Sequence, residues 1–269
     1  MPKQACPTLV RSRRFRGRLS LCAAVAAGCL SVFAVASAWG DECPSDASAI
    51  EINGAKIARL SSGANRTLEI LAIGSSSTEG VGASSPAHAY PAVLADELAR
   101  EKTAATVKNA GVGGELAATT LQRLKAALKT GWPELVIWQV GTNDALVGVD
   151  EASFRATVES GIAAVRAAHV PLILVDPQFA AKPPDVSRYE RFVAIVDDIG
   201  GRLHVPVLSR YAMMKRWGAK KALALLSGDG LHMNDLGYRC LAHAIAEEIE
   251  GAGGTEARAG AEIRTGAKL

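Results

Sequence analysis

The chain has 269 residues, of which 49% are hydrophobic and 21% are charged, and its formal net charge at pH 7 is +3. Six basic residues precede position 19 and no acidic residue precedes Asp41, so the rest of the chain carries a net charge of −3. The length suits one domain with a substantial core, and this charge gives no support for nucleic-acid binding.

The N-terminal segment is typical of a signal peptide. Its basic start is followed by an apolar stretch from Leu19 to Ala36 and by the small residues Ala36-Ser37-Ala38, a form that signal peptidase cleaves. A transmembrane anchor is the alternative, because the apolar stretch approaches the ~20 residues that span a bilayer. The alanine content and the Ala-Ser-Ala ending favour cleavage. We therefore expect a periplasmic or secreted protein with no membrane span after cleavage.

Two of the five cysteines, Cys43 and Cys240, lie outside the predicted signal peptide. An exported chain enters a compartment that permits disulfides. We expect one bridge between the start of the mature chain and the last helix, with two independent thiols as the alternative.

Four segments are predicted in chain order. Residues 1–38 form the signal peptide, and residues 39–66 lead into the folded part. Residues 67–250 form a single domain, and residues 251–269 form a flexible C-terminal tail, rich in glycine, alanine and charge without apolar periodicity.

Within the domain, short apolar runs alternate with longer helical patterns, which is typical of β-α units and a parallel sheet. Strands are predicted at Leu68–Ile73, Thr106–Asn109, Leu135–Val140, Leu172–Val175 and Val205–Leu208. Helices are predicted at Ala89–Glu101, Ala117–Lys129, Asp150–Ala168, Arg188–Arg202 and Asp235–Ile249. Right-handed crossovers place helices on both faces. The predicted fold class is α/β, a flavodoxin-like three-layer α/β/α sandwich with a five-stranded parallel sheet.

Two distant segments indicate hydrolase chemistry. A serine-rich block, Gly74 to Gly80, follows the first predicted strand, and the carboxyl ends of parallel strands open onto a crevice. A serine hydroxyl needs a neighbouring base, usually a histidine oriented by a carboxylate. Asp229 and His232 are three residues apart, so one helix-like turn would place both side chains on the same side. Together they suggest a Ser-His-Asp hydrolase.

Two further blocks follow the second and third predicted strands. They are Asn109 to Gly114 and Gly141 to Asp144. Glycines at such turns let the backbone approach a ligand, and backbone N–H groups with an asparagine amide can hold the oxygen of a tetrahedral intermediate. Each block alone is a weak signal, but their order at successive strand ends favours a functional role.

In this order, the four blocks resemble those of the SGNH (GDSL-type) serine esterase/lipase hydrolases, over roughly Leu68 to Ile249. The resemblance implies the SGNH hydrolase fold, with Ser76, His232 and Asp229 as catalytic residues. It implies an oxyanion hole made by Ser76, Gly114 and Asn143, and it implies no metal and no cofactor.

The first block departs from the family at Ser75, which stands where the family has aspartate. That aspartate is not the acid of the family's triad, so its loss need not abolish activity. Three consecutive serines result, and Ser75 or Ser77 as an accessory hydroxyl stays open.

The expected function is an exported esterase, or a lysophospholipase-like enzyme, that cleaves acyl or acetyl esters of a small molecule, lipid or glycan through an acyl-enzyme. One alternative is an O-acyltransferase or deacetylase that acts on extracytoplasmic glycans. Another is a non-catalytic glycan- or lipid-binding module, because fold does not determine function. Acyl length, leaving group and oligomeric state are not predicted.

Several other residues are expected to play no part in the chemistry. Four histidines are predicted at surfaces or helix ends: His88, His169, His204 and His243. Asp144 and Asp235 are rival acids that do not match the Asp-x-x-His block. Glu79 and Glu115 are predicted to be solvated loop carboxylates, with a place in the lining of the pocket as the alternative. A run of large side chains is predicted to pack in the core, with an acyl-binding wall as the alternative: Tyr211, Met213, Met214 and Trp217.

Overall fold

The computed structural model describes Cys43, the backbone from Arg66 to Thr265 and the side chains from Arg66 to Gly251. The predicted signal peptide lies outside these residues, as do the lead-in apart from Cys43 and Arg66 and the side chains of the predicted tail beyond Gly251.

Five parallel strands form one sheet in the order β2-β1-β3-β4-β5. Ile70 of β1 is in register with Val107 of β2 on one side and with Leu135 of β3 on the other. The strands are β1 (Leu68–Gly74), β2 (Ala105–Gly111), β3 (Leu135–Gln139), β4 (Leu172–Val175) and β5 (Val207–Leu208). The predicted fold class is confirmed.

Both faces of the sheet are covered by helices, because successive residues of a strand point to opposite faces. Ile70 and Ala72 of β1 belong to one apolar cluster, while Leu71 and Ile73 belong to a second. The first cluster includes residues of α2 (Tyr90–Arg100) and α9 (Asp235–Thr265). The second includes residues of α3 (Ala117–Leu128), α5 (Glu151–Ala167) and α6 (Val186–Leu203).

The three longest helices of the described residues begin where short polar side chains satisfy first-turn N–H groups. The Asp185 side chain accepts a hydrogen bond from the Arg188 N–H at the start of α6, and Asp150 accepts one from Ser153 at the start of α5. Asn234 accepts one from the Gly237 N–H, so Asn234 caps α9.

Every predicted boundary lies within two residues of the structure, except the end of the last helix. The fifth strand begins at Val207 rather than Val205. The last helix continues past Ile249 to Thr265, because the intervening segment is rich in alanine, glutamate and arginine, which favour helix despite its glycines. Whether this extension is flexible stays a prediction.

Among the described residues, four short α-helices were missed, because each has fewer than eight residues and so shows no clear apolar periodicity. They are α1 (Ser76–Glu79), α4 (Thr142–Val147), α7 (Arg210–Arg216) and α8 (Gly218–Ala224). In the run around α7, Met213, Met214 and Trp217 are buried in the core, as predicted. Tyr211, the fourth member of that run, is only partly buried against the core, and its hydroxyl donates to Glu190.

A disulfide joins Cys43 to Cys240 in α9, which confirms the predicted bridge. Among the helices from Arg66 onward whose side chains are described, none is both long enough and apolar enough to cross a bilayer.

Candidate active site

The candidate site lies at the carboxyl ends of the strands, where β1 is flanked by β2 and β3. After β1 the chain forms its neighbour β2 on one side, and after β2 it crosses over to form β3 on the other side of β1. The direction in which strands are added therefore reverses at β1. Such a switch point leaves a crevice in which open α/β sheets bind ligands. Ser76 begins α1 directly after β1, and Asn143 lies in the first turn of α4 after β3.

A chain of hydrogen bonds joins three of the predicted site residues. Ser76 Oγ lies 2.8 Å from His232 Nε2, and His232 Nδ1 lies 2.6 Å from Asp229 Oδ2. Serine and aspartate therefore contact opposite nitrogens of the ring. When Nδ1–H donates to the carboxylate, Nε2 is left to accept the hydroxyl proton of Ser76. This is the arrangement in which a histidine acts as base toward a serine.

The turn that carries Asp229 and His232 is not helical, which corrects the sequence-based expectation. An antiparallel bridge between Leu226 and Met233 closes the loop that contains both residues. Asp229 organises this loop because its Oδ1 accepts three hydrogen bonds, from Ser227 Oγ at 2.8 Å, Leu231 N at 2.9 Å and His232 N at 2.9 Å. Its Oδ2 is left to face the imidazole.

These contacts control the ionisation of Asp229. Burial acts to raise the pKa of Asp229, but the hydrogen bonds from His232, Leu231 and Ser227 outweigh it and hold the pKa below the ordinary value of an aspartate. The side chain is therefore negatively charged at neutral pH, as a carboxylate that stabilises an imidazolium must be.

The three consecutive serines have three different partners. The Ser75 hydroxyl donates to Gln139 Oε1 at 3.1 Å, and the Ser77 hydroxyl donates to Gln178 Oε1 at 3.3 Å. Only the hydroxyl of Ser76 contacts the imidazole. All three side chains are buried or nearly so, and Ser76, at 8% exposed, is the most accessible. The geometry therefore distinguishes the middle serine from its neighbours.

Ser75 ties the start of α1 to the end of β3. Its backbone N–H and its hydroxyl both donate to Gln139 Oε1, at 3.0 and 3.1 Å, and Thr78 Oγ1 lies 3.4 Å from the same oxygen. A serine can donate to this oxygen, whereas an ionised aspartate cannot. The residue that replaces the family aspartate thus has a structural contact of its own.

The glycine block Asn109 to Gly114, which begins in the last residues of β2, runs directly beside α1. A Cβ at Gly111 would lie 1.9 Å from the Glu79 nitrogen, so only glycine allows this close approach. A Cβ at Gly113 would lie 3.9 Å from the Ser76 Cβ. Gly114 has a φ of +77°, a conformation that favours glycine.

The Asn143 side chain is oriented by the residue that follows Gly114. Asn143 Nδ2 donates to the carbonyl oxygen of Glu115 at 2.9 Å. A primary amide has two N–H groups, so this bond orients the side chain while the second N–H can serve a ligand. The residues predicted to form the oxyanion hole thus lie in neighbouring segments that follow β1, β2 and β3, at the carboxyl ends of these strands.

Glu115 is an ion-pair partner and not the solvated loop carboxylate that was predicted. Its side chain is 13% exposed and forms a salt bridge with Arg123 of α3. The same guanidinium donates to the Ala110 carbonyl at 2.8 Å and to the Gly74 carbonyl at 3.2 Å. Arg123 therefore joins the ends of β1 and β2 to the loop that contains Gly114.

Sequence reasoning missed Arg123 and Gln178, which connect the blocks without belonging to any of them. Arg123 lies within a predicted amphipathic helix and resembles an ordinary surface arginine. Gln178 follows the fourth strand in the sequence Asp-Pro-Gln. The rule that polar residues after parallel strands line a site, applied to β4 as it was to the first three strands, would have identified this segment.

The rival residues have other partners. Both carboxylate oxygens of Asp144 accept from the Ala117 N–H at the start of α3. Asp235 accepts hydrogen bonds from the backbone and hydroxyl of Ser84. The four remaining histidines are exposed, as predicted: His88, His169, His204 and His243.

A cavity of about 410 Å³ lies beside the loop that carries Asp229, within the size range of small-molecule pockets. Its lining is mostly apolar, with one exposed lysine, Lys182, and includes Leu146, residues 180–184 and residues 228–231. Among the residues whose side chains are described, no three His, Cys, Asp or Glu side chains are grouped to hold a metal ion.

Comparison with known proteins identifies the family. The model of the non-GDSL lipase-like family matches residues 42–253. The chain belongs to this family. As a family member it is a lipase- and esterase-like acylhydrolase of the SGNH type, a hydrolase that acts on ester bonds, and the predicted resemblance is confirmed.

Individual relatives agree with this assignment. The chain is 28% identical over 186 residues to thioesterase 1/protease 1/lysophospholipase L1 of Escherichia coli K12, covering 67% of this chain and 83% of the relative. A lipase/acylhydrolase from Enterococcus faecalis superposes with a TM-score of 0.61 at 26% identity, over 69% of this chain and 96% of that one. The esterase EstA from Pseudoalteromonas, at 20% identity and a TM-score of 0.58, shares the fold over 68% of this chain and 97% of its own.

Proposed function

We propose that this protein is an exported serine esterase in which Ser76 is the nucleophile, His232 the general base and Asp229 the residue that orients the base. The observation that carries the proposal is the hydrogen-bond chain from Ser76 Oγ through the two ring nitrogens of His232 to Asp229 Oδ2. A serine without such a base is a poor nucleophile.

In the first half-reaction, Ser76 Oγ attacks the carbonyl carbon of the ester while His232 Nε2 takes the hydroxyl proton. The imidazolium that forms is stabilised by ionised Asp229 through Nδ1–H. The carbonyl oxygen becomes an anion in the tetrahedral intermediate. When the carbonyl reforms, the bond to the alcohol breaks, and the alcohol leaves with the proton from Nε2.

The oxyanion is proposed to be held by the N–H groups of Ser76 and Gly114 and by the Asn143 amide. The N–H of Ser76 lies in the first turn of α1, where N–H groups have no partner within the helix. Support for Asn143 comes from the hydrogen bond that its amide donates to the Glu115 carbonyl. This bond fixes the orientation of the amide next to the loop that contains Gly114. Preorganised donors of this kind stabilise charge that develops in the transition state.

In the second half-reaction, His232 activates a water molecule, which attacks the acyl-enzyme and releases the acid. If a sugar hydroxyl takes the place of water, the same residues perform acyl transfer to a glycan. The cavity beside Asp229 is proposed to accommodate one side of the ester. Its volume of about 410 Å³ and mostly apolar lining suit a small or medium apolar group.

The central experiment measures hydrolysis by purified protein of p-nitrophenyl esters of increasing acyl length, acetylated sugars, an acyl thioester and a lysophospholipid. The last two substrates are included because of the names that the Escherichia coli relative carries. We expect hydrolysis of at least one ester and covalent labelling of Ser76 by a serine-reactive phosphonate. Products formed with and without a glycan acceptor separate hydrolysis from transfer. Absence of both hydrolysis and labelling would favour the non-catalytic binding module.

Export is part of the proposal, and the Cys43–Cys240 disulfide supports it, because such bridges persist in oxidising compartments. N-terminal sequencing of protein from the native host is expected to begin at Trp39, after removal of residues 1–38. A mature chain that retains the basic leader would contradict cleavage.

A further inference from the structure

The proposed mechanism makes no use of a buried amide at the carboxyl end of β4. Gln178 lies three residues after β4 and is 0% exposed. Its main chain is held by the hydroxyl of buried Tyr189 on α6, which donates to the Gln178 carbonyl oxygen at 2.7 Å. A buried amide is stable only when both of its ends find hydrogen-bond partners.

The amide finds its partners in three different segments. Its Oε1 accepts from Ser77 Oγ at 3.3 Å and from Thr142 Oγ1 at 3.0 Å. Its Nε2 donates to the carbonyl oxygen of Leu231 at 3.2 Å. One planar group thus connects α1, α4 and the loop before α9.

Each partner is the chain neighbour of a residue that the proposed reaction uses. The partner serine directly follows Ser76, the partner threonine directly precedes Asn143, and the partner carbonyl belongs to the residue before His232. One side chain therefore links the three segments that carry the nucleophile, the oxyanion amide and the base.

Glutamine is suited to this position because its carbonyl oxygen accepts two hydrogen bonds while its NH₂ group donates. Methionine, which has a similar length, supplies neither function. The loop that carries His232 is rigid within itself through Asp229, so its placement depends on its contacts with other segments. Those contacts include the Gln178 amide and a main-chain bond from the Ala181 N–H to the Gly230 carbonyl at 2.8 Å.

We infer that Gln178 is a positioning residue, whose amide holds the Ser76 hydroxyl, the Asn143 amide and the His232 ring in one reactive geometry. The inference rests on the proposed function. The contact between Ser76 Oγ and His232 Nε2 is 2.8 Å, and a displacement of about 1 Å in a reactive arrangement costs on the order of 100-fold in rate.

The principal test is the substitution Gln178→Met, which removes all three side-chain bonds and preserves the Ala181–Gly230 bond. We expect kcat for p-nitrophenyl ester hydrolysis to fall about 100-fold, with KM little changed. The rate of phosphonate labelling at Ser76 should fall by a similar factor. Both are measured well below the Tm of the variant.

Leu172→Ala is the matched control for lost stability. Leu172 is buried at the amino end of the same strand, away from the site. This variant should lose Tm while it retains the wild-type kcat and labelling rate. A comparable loss of kcat in Leu172→Ala would overturn the inference, because it would trace the effect to stability.

Two milder variants keep the inference testable if Gln178→Met does not fold. Ser77→Ala and Thr142→Val each delete one hydroxyl that donates to the amide. We expect each to lower kcat by about 2- to 10-fold, the range that corresponds to the loss of one hydrogen bond. Wild-type kcat in both variants would contradict the inference.

The outcomes separate this inference from the function on which it rests. The positioning role alone would be refuted if Ser76→Ala abolished hydrolysis while Gln178→Met kept kcat within about twofold of wild type, which is no more than the loss of one weak hydrogen bond. Absence of hydrolysis and labelling in the wild type would refute the proposed function and the positioning role with it.

Discussion

Two clusters of this molecule contain a serine, a histidine and an aspartate within hydrogen-bond distance. In the first, Ser76 and Asp229 contact opposite nitrogens of His232. The second cluster consists of Ser84, His88 and Asp235. There, Ser84 Oγ lies 2.6 Å from His88 Nδ1 and 2.6 Å from Asp235 Oδ2, and Asp235 Oδ2 lies 3.2 Å from the same ring nitrogen.

The difference is in the ring nitrogen that each group meets. In the second cluster, serine and aspartate share Nδ1, so the hydroxyl can donate directly to the carboxylate and the imidazole does not lie between them. The His88 side chain is also 53% exposed, compared with 16% for His232. The first cluster has the geometry of a base that activates serine, whereas the second links the loop after α1 to the start of α9.

The largest difference between the two clusters is expected when the serine of each is removed. We expect Ser76→Ala to lower kcat by about 10⁶-fold, as loss of a nucleophile does, while the protein stays folded. Ser84→Ala is the matched control and should retain wild-type kcat. Ester hydrolysis and circular dichroism measure both effects. Activity that persists in Ser76→Ala would contradict the proposed mechanism.

The two aspartates provide a second test. Asp229→Asn should lower kcat by about 10⁴-fold, because an amide does not hold the required imidazole tautomer or stabilise the imidazolium. Asp235→Asn, which replaces the carboxylate next to the exposed imidazole of His88, should leave kcat close to wild type. Steady-state kinetics on both variants measure the difference. Equal losses would mean that the ring nitrogen does not decide the role.

A smaller effect is expected from the proposed oxyanion hole. Asn143→Ala should lower kcat by about 100- to 1000-fold with KM little changed, because the amide acts on charge that develops only in the transition state. Gln122→Ala removes an exposed amide from α3 and is the control. A rise in KM without a fall in kcat would instead indicate a substrate-binding role for Asn143.

The smallest effect concerns stability and its pH dependence in the second cluster. Burial acts to raise the pKa of Asp235, but the bonds from Ser84 and the proximity of His88 outweigh it and hold this pKa below its ordinary value. A carboxyl whose folded pKa is lowered stabilises the fold above its unfolded pKa of about 4, and this stabilisation is lost as the pH falls through the folded value. Asp235→Asn should therefore lower Tm at pH 7.

Because this cluster is exposed, Asp235→Asn should lower the free energy of unfolding by less than about 1 kcal/mol. The Tm difference between Asp235→Asn and wild type should shrink on acidification below pH ~4. Thermal melts at pH 7 and at acidic pH measure it. A difference that grows on acidification would have the wrong sign for a lowered pKa.

Much of the fold and four blocks of the site could be predicted, because the signals are local. The strand Leu68–Gly74 is an apolar run that ends at a glycine, and its end was predicted within one residue. The short helix after it could not be predicted, since four residues carry no periodicity. The prediction that Glu115 is a solvated carboxylate was wrong for a different reason: its partner, Arg123, lies eight residues away on a helix.

Gln178 was missed because its contacts are remote in sequence. Its bond to Ser77 spans 101 residues and its bond to Leu231 spans 53. The sequence alone does not indicate which residues pair at such separations, because only the folding of the chain brings them together.

The alternation of strands and helices, the glycine turns at the strand ends and the order of the family blocks can be predicted from the amino-acid sequence, because each depends on a few neighbouring residues. The family blocks predicted Ser76, and the folded chain shows that its hydroxyl faces the imidazole while those of Ser75 and Ser77 bond to Gln139 and Gln178. The folded chain also distinguishes the two Ser-His-Asp sets, because in one of them the serine and the aspartate contact opposite ring nitrogens. The Ser76–His232 contact joins residues 156 positions apart, and the ring nitrogen that faces each partner depends on how β1 and the loop before α9 are packed.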